Sequence, residues 1–222
     1  MIELILVIVV IAILAASAIP RFKRDTRFEA INHMLTMIRY TQNLALHDSK
    51  HDSNSTEWQK SFWRFNLNNC SNSSGIYYQI GTDTNYDGGI AKEESAIDPS
   101  NGKFTIWMGF KECPDIKSID DRTISPNIFI NQKYGIKRVT FNACRICINK
   151  DCTRTSSAKH IGFDNFGRPI KSFLGSMEPN YNGHVVRDCK IKFEFIDSSI
   201  KPFRIIIPKE TGFAYLEENP NL

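Results

Sequence analysis

The stretch DTNYDGGIAKEE places oxygen-bearing side chains at a spacing that suits a hard cation. Calcium is bound by six to eight oxygen ligands, and a loop with such residues at its first, third, fifth and twelfth places, and glycine at the sixth, supplies them from one segment. The predicted ligands are Asp83, Asn85, Asp87, Glu94 and the backbone carbonyl of Gly89 at the seventh place. The sequence therefore predicts a calcium ion that fixes a surface loop. The alternative is a polar Asn/Gly turn between strands.

Six cysteines form a second set of chemically active side chains: Cys70, Cys113, Cys144, Cys147, Cys152 and Cys189. An even number of cysteines behind an export-like N-terminus predicts disulfides in an oxidising compartment. Six cysteines allow 15 pairings, and the sequence does not choose among them. The spacing of Cys144, Cys147 and Cys152 leaves a zinc site as the alternative, which requires the chain to turn there.

The elements that must position these residues are short. Runs rich in β-branched and aromatic residues, separated by Gly, Pro, Asn and Asp, predict strands. The runs are WRFNLN, IYYQIG, FTIWMGF, NIFIN, KRVTFN, KHIGFDN, KIKFEFID and FRIIIP. In KIKFEF the alternation predicts that Ile191, Phe193 and Phe195 share one face. Ahead of these runs, one helical face is predicted from Phe28, Ile31, Leu35, Ile38 and Ala45.

The N-terminal segment is apolar except at two positions. Residues 4–19 contain only Ser17 as a polar residue, and together with Met1 and Ile2 they approach the ~20 residues that a membrane-spanning helix needs. Glu3 puts a carboxylate at one end of this span, where a charge requires a partner. Pro20 stands where a helix is kinked or broken. The pattern predicts a retained transmembrane helix in which Glu3 has a specific role.

The segment IELILVIVVIAILAASAIPRF resembles the N-terminus of type IV pilins and pseudopilins. Ile2, Glu3, Leu4, Pro20 and Phe22 fall on matching places. The resemblance implies that Glu3 pairs with the free amine of a neighbouring subunit when such helices stack in a filament core, which neutralises both charges. It also implies a leader that ends in glycine, followed by two residues, upstream of Met1.

The C-terminal half is similar to the ending of GspH/FimT-type minor pseudopilins, in which a Gly-Arg turn, two strands and a Thr-Gly turn follow one another. Gly167, Arg168, Thr211 and Gly212 carry this resemblance. Some FimT-type proteins bind DNA through basic residues just after the last glycine. This chain has Glu217 and Glu218 in that region instead, so the resemblance does not extend to DNA binding.

Composition is consistent with a folded protein. Of 222 residues, 41% are hydrophobic, which excludes global disorder, and 28 basic against 24 acidic residues make the chain only mildly basic. The expected fold is α+β: a long N-terminal membrane-spanning helix packed on a C-terminal antiparallel β-sheet domain. The expected units are a filament-core helix over residues 1–22, its amphipathic continuation over 23–50 and a periplasmic β-rich domain over 51–222.

The expected function is structural. The sequence predicts a non-enzymatic minor pseudopilin of a type II secretion, type IV pilus or DNA-uptake filament, held in the inner membrane by a single span. Expected partners are other pilin or pseudopilin subunits and the membrane, with no small-molecule substrate. The alternative is a pilin-like binding module that captures DNA or an exported protein, and an anchored periplasmic enzyme is third because no catalytic constellation is visible.

Overall fold

A computed structural model describes residues 2–18, 25–71, 75–108, 111–117, 119, 122–142, 159–171, 173–175 and 177–218. Within these ranges the helices are α1 (Ile2–Ala18), α2 (Thr26–His47) and α3 (Ile130–Tyr134). The strands are β1 (Arg64–Asn69), β2 (Ile76–Gly81), β3 (Ile136–Asn142), β4 (Lys159–Phe163), β5 (Pro169–Ile170), β6 (Cys189–Phe195), β7 (Phe203–Ile207) and β8 (Tyr215–Leu216). Short 3₁₀ turns connect several of them.

Helix α2 begins at a capped end and buries one face. The Asp25 side chain accepts a hydrogen bond from the Phe28 N–H at 2.9 Å, which satisfies one of the unpaired donors of the first turn. The buried face contains Ala30, Ile31, Met34, Met37, Ile38, Thr41, Gln42 and Ala45. Phe28, which the periodicity assigned to this face, is 61% exposed. The helix contacts β1 and β4 of one sheet and β8 of the other.

The described strands form two antiparallel sheets of four strands each, in the orders β2-β1-β4-β5 and β3-β6-β7-β8. In the first sheet β1 is central, and Arg64 pairs with Gly81 on one side and Gly162 on the other. In the second sheet the predicted alternation of β6 is confirmed, because Ile191, Phe193 and Phe195 are all buried. Both sheets and α2 contribute to one hydrophobic core.

Two segments that the sequence assigned to strands form no strand within their described residues. The NIFIN segment forms a 3₁₀ turn, Pro126–Ile128, followed by α3. Its start is set by Pro126 and by Ser125, whose side chain accepts the Asn127 N–H at 3.2 Å, and its end by Gly135 at φ +66°. Over residues 104–108 of the FTIWMGF segment, Phe104 makes only isolated bridges, so the β-rich composition there does not produce a ladder.

The expected long membrane-spanning helix packed on a single sheet domain is wrong. Helix α1 covers 17 residues, or about 25 Å at 1.5 Å per residue, against a hydrocarbon thickness of about 30 Å. None of the helices within the described ranges is both long and apolar enough to cross a bilayer. The side chains of residues 4–11 are exposed rather than packed on a sheet. A single-pass inner-membrane location is therefore not supported, and neither are the descriptions transmembrane, pseudopilin and secretion.

Candidate functional site

The loop with the calcium-binding pattern leaves β2 at Gly81 and returns through a 3₁₀ turn, Lys92–Glu94. Gly88, at the sixth place, has φ +91°, a conformation that favours glycine. The Gly88 N–H donates to Asp83 Oδ2 at 2.9 Å, and the Thr82 N–H donates to the Glu94 carbonyl at 3.1 Å. The predicted ligand residues therefore lie on one closed loop whose two ends meet.

The carboxylates of this loop are largely satisfied by nearby donors. Asp87 Oδ1 accepts the Gly89 N–H at 2.8 Å, and Asp87 Oδ2 accepts the Asn85 side-chain amide at 3.0 Å. Asn85 Oδ1 in turn accepts the Asp87 N–H at 3.1 Å. These side chains stabilise the loop backbone in the manner of Asx turns.

Glu94 also points to backbone donors. Its Oε1 accepts the Thr84 N–H at 2.7 Å and the Thr84 hydroxyl at 2.6 Å, and its Oε2 accepts the Ala91 N–H at 2.8 Å. Burial by itself raises the pKa of Glu94, but the hydrogen bonds from Ala91, Thr84 and Asn85 outweigh burial and hold that pKa below its usual value. Both carboxylate oxygens of the predicted ligand Glu94 therefore already accept hydrogen bonds within the protein.

The cationic side chain of Arg64, the first residue of β1, reaches into the same loop. Arg64 is 1% exposed, and its Nη2 donates to the carbonyl of Gly89. Its Nη1 lies 4.0 Å from Oδ2 of Asp83, which is 0% exposed. Burial lowers the pKa of Arg64 to about 10, a value at which the guanidinium is still protonated at neutral pH. Burial also raises the pKa of Asp83, and the Gly88 N–H and Arg64 oppose that rise.

The residues of the loop, in this arrangement, do not fit a calcium ion. The Gly89 carbonyl that the pattern assigns to calcium is taken by Arg64, and a further cation close by would be repelled by about 4 kcal/mol per pair of unit charges at 4 Å and an effective dielectric constant of about 20. No group of three His, Cys, Asp or Glu side chains converges on a metal position in the described part of the chain. One feature favours a cation: Oδ1 of Asp83 is buried without a hydrogen-bond partner. Calcium binding stays a prediction of the sequence pattern.

Of the two predicted assembly residues, one is described. Glu3 lies in the first turn of α1 with its side chain exposed, so its carboxylate faces outward, where a second chain can reach it. Pro20 lies outside the described residues.

One disulfide joins Cys70, which follows β1, to Cys113. The two cysteines are 43 positions apart in the sequence, and the segment between them contains β2 and the acidic loop. Cys189, the first residue of β6, is also disulfide-bonded. The remaining candidates, Cys144, Cys147 and Cys152, lie outside the described residues.

The structure brings together the two glycine turns singled out in the C-terminal half. A Cβ on Gly212 would lie 2.0 Å from the carbonyl oxygen of Gly167, so the two turns are in backbone contact. Gln42, buried on α2, joins them: its Nε2 donates to the Gly167 carbonyl at 2.8 Å and to the Thr211 carbonyl at 2.7 Å. Sequence reasoning missed Gln42, although a polar residue on an otherwise apolar helical face is a readable signal.

A cleft of about 190 Å³ lies beside the first of these turns. Its polar centre is Asp164, whose Oδ2 accepts Arg168 Nε at 2.9 Å and faces His184 Nε2 at 3.0 Å. The other ring nitrogen of His184 lies 3.0 Å from the Tyr181 carbonyl oxygen. Both ring nitrogens of His184 therefore face an oxygen atom of the protein, which fixes the orientation of the ring.

The walls of the cleft are aromatic. Further lining residues are His51, Trp58, Gln59, Phe62, Asn165, Phe166 and Ile170. Trp58, Phe62, Ile170 and Phe173 form a small cluster separate from the main core, and this cluster supports the cleft. Asp164 has a local signal, since it accepts the N–H groups of Phe166 and Arg168 in a tight turn. His184 is distant from Asp164 in sequence, and no local pattern points to it.

Neither a protein-family model nor a curated protein nor a solved structure matches this chain.

Proposed function

We propose that this protein is a structural subunit of a pilin-like filament and that it assembles through α1. The observation that carries the proposal is the exposure of α1. Its large aliphatic side chains at residues 4–11 are between 46% and 69% exposed. Soluble monomers rarely expose a contiguous apolar surface of this kind, and such a surface marks an interaction site.

The distribution of these side chains indicates what covers them. Residues 4–11 span more than two helical turns, so apolar side chains point in every direction around the axis. A helix that is apolar all round requires cover on all sides. Equivalent helices of neighbouring subunits, bundled along a filament axis, bury these side chains, and the same contacts recur from subunit to subunit.

Glu3 fits the same arrangement. A carboxylate at the end of an apolar helix becomes costly once neighbouring helices bury it, unless a cation pairs with it. An amine of the next subunit is the partner that the pilin resemblance implies. Glu3→Gln is expected to leave the folded domain intact and to weaken assembly.

The test compares two aspartate substitutions in the full chain. Ile8→Asp places a charge on α1, whereas Ile196→Asp is a matched control, because Ile8 is 57% exposed and Ile196 is 61% exposed. The wild type and the control are expected to form filaments with a regular repeat in electron microscopy, and Ile8→Asp is expected to sediment as a monomer. A monomeric wild type, or normal filaments from Ile8→Asp, would contradict the proposal.

A second candidate function is a binding module for an exported protein, and the aromatic cleft favours it. Arg168 and His184 bracket Asp164, while Tyr181 and Phe166 are mostly exposed beside it. Exposed aromatic side chains around a few polar groups are typical of protein recognition. The cleft has room for one aromatic side chain of a partner.

Titration with N-acetyl-tryptophanamide tests this second candidate. Binding is expected to shift the indole NMR signal of Trp58, and Phe166→Ala is expected to weaken the shift. An unchanged Trp58 signal at millimolar concentrations of this compound would contradict the proposal that the cleft captures a partner.

A further inference from the structure

Arg64 is the first residue of β1 and lies next to the acidic loop of residues 83–94. The strand register pairs Arg64 with Gly81, where β2 ends and the loop begins. A Cβ on Gly81 would approach Ile90 Cγ2 to 2.6 Å and the Glu94 carbonyl oxygen to 2.8 Å. Because Gly81 has no side chain, the loop closes onto the strand, and the guanidinium of Arg64 enters the loop interior.

The guanidinium hydrogen-bonds one of the groups that the pattern assigns to a metal and lies near a second. Arg64 Nη2 donates to the Gly89 carbonyl and lies 3.5 Å from the Gly88 carbonyl oxygen. Arg64 Nη1 lies 4.0 Å from Asp83 Oδ2. Both side chains are almost fully buried, so water screens their charges weakly. The other negative charges of the loop, on Asp87 and Glu94, also act on this guanidinium.

We infer that Arg64 is the resident cation of this loop: its guanidinium takes the place that the sequence pattern assigns to calcium, and the wild-type loop keeps its shape without a divalent ion.

The two cations exclude each other for reasons of both ligands and charge. Calcium needs six to eight oxygen atoms at 2.3–2.6 Å, but the Gly89 carbonyl is engaged by Arg64 and the Glu94 oxygens by backbone donors. The buried Oδ1 of Asp83 is the acceptor left without a partner among these side chains. Calcium would have to compete with these donors for the loop oxygens, and the adjacent guanidinium repels it.

Removing the guanidinium reverses both conditions. The Gly89 carbonyl and Asp83 then lack their cationic partner, and the buried carboxylate of Asp83 is left close to the more exposed carboxylates of Asp87 and Glu94 without a balancing charge. A divalent ion becomes the available balancing charge. The inference therefore includes a second part: Arg64→Met creates a calcium dependence that the wild type lacks.

Calorimetry and thermal melting of the full chain, with EDTA or with millimolar calcium, test both parts. The wild type is expected to give no heat of calcium binding and the same Tm in both conditions. Arg64→Met is expected to melt lower in EDTA, to regain stability with calcium and to bind it with a Kd of ~10⁻⁴–10⁻³ M, the range of weak extracellular sites. Arg64→Lys keeps the positive charge, so it is expected to give no heat of calcium binding and the same Tm with and without calcium.

The double variant Arg64→Met/Asp83→Asn separates charge balance from simple loss of packing. It removes one charge of each sign, so it is expected to fold without calcium and to give no binding heat. Calcium binding or a chelator response in the wild type would overturn the inference. If Arg64→Met melts identically with and without calcium, or fails to fold in both, the second part is wrong.

Discussion

Replacing Gln42 with leucine is expected to destabilise the fold by about 2–4 kcal/mol. Gln42 is buried, and its amide bridges the Gly167 and Thr211 carbonyls, which belong to turns of different sheets. Gly167 is buried, so its carbonyl loses its donor without gaining water, at a cost of about 1–3 kcal/mol. Thr211 is exposed and its carbonyl can be rehydrated, so the second hydrogen bond contributes about 1 kcal/mol.

Urea denaturation of Gln42→Leu, with Gln132→Leu as the matched control, measures this effect. Gln132 also makes two side-chain hydrogen bonds, to Pro114 and Ile116, but it is exposed, so water replaces its contacts. The control is expected to lose less than about 1 kcal/mol, whereas Gln42→Leu is expected to lower Tm by roughly 6–12 °C for about 3 kcal/mol. Equal losses in the two variants would refute the reasoning that burial of the bridged carbonyls decides the cost.

Three further predictions concern stability. Gly212→Ala is expected to lower the free energy of unfolding more than the control Gly102→Ala. Both glycines have positive φ, but of the two only Gly212 has an atom within 4 Å of an added Cβ. The control should lose about 1–2 kcal/mol, and equal losses in urea denaturation would contradict the role of this contact. Burial lowers the pKa of His33 to about 4, so the unfolded chain binds the proton first and stability is lost as pH falls from about 6.5 to 4, by on the order of 3 kcal/mol. Urea midpoints should show a flatter pH profile for His33→Gln, and an identical profile would remove His33 as the cause. Replacing Cys70 and Cys113 together with alanine is expected to lower the free energy of unfolding by about 2–4 kcal/mol, since the bridge joins residues 43 positions apart; an unchanged urea midpoint would count against this prediction.

Local patterns predicted several elements well. The alternation of KIKFEF placed Ile191, Phe193 and Phe195 on one buried face, because the side-chain period of a strand is a local property. The NIFIN segment was assigned wrongly for the opposite reason. Its β-rich composition was overridden by Pro126, Ser125 and Gly135, which start and end helical turns there.

The expected architecture failed at the N-terminus. The apolar composition of the first residues was interpreted as part of one long spanning helix, but the described helices are α1 (Ile2–Ala18) and α2 (Thr26–His47). Composition indicates how apolar a segment is, but it does not fix the length of a helix.

By itself the sequence determined which segments are amphipathic, where Gly88 needs its special backbone conformation and which residues form the acidic loop, since all of these depend on neighbours along the chain. Only the tertiary structure decided which cation balances the negative charge of that loop. Arg64 meets Gly89 across the register of β1 and β2, and His184 meets Asp164 across separate turns. The first pairing depends on strand register, because a one-residue slip would turn the Arg64 side chain to the other face of the sheet. The second depends on packing between segments that are distant in sequence.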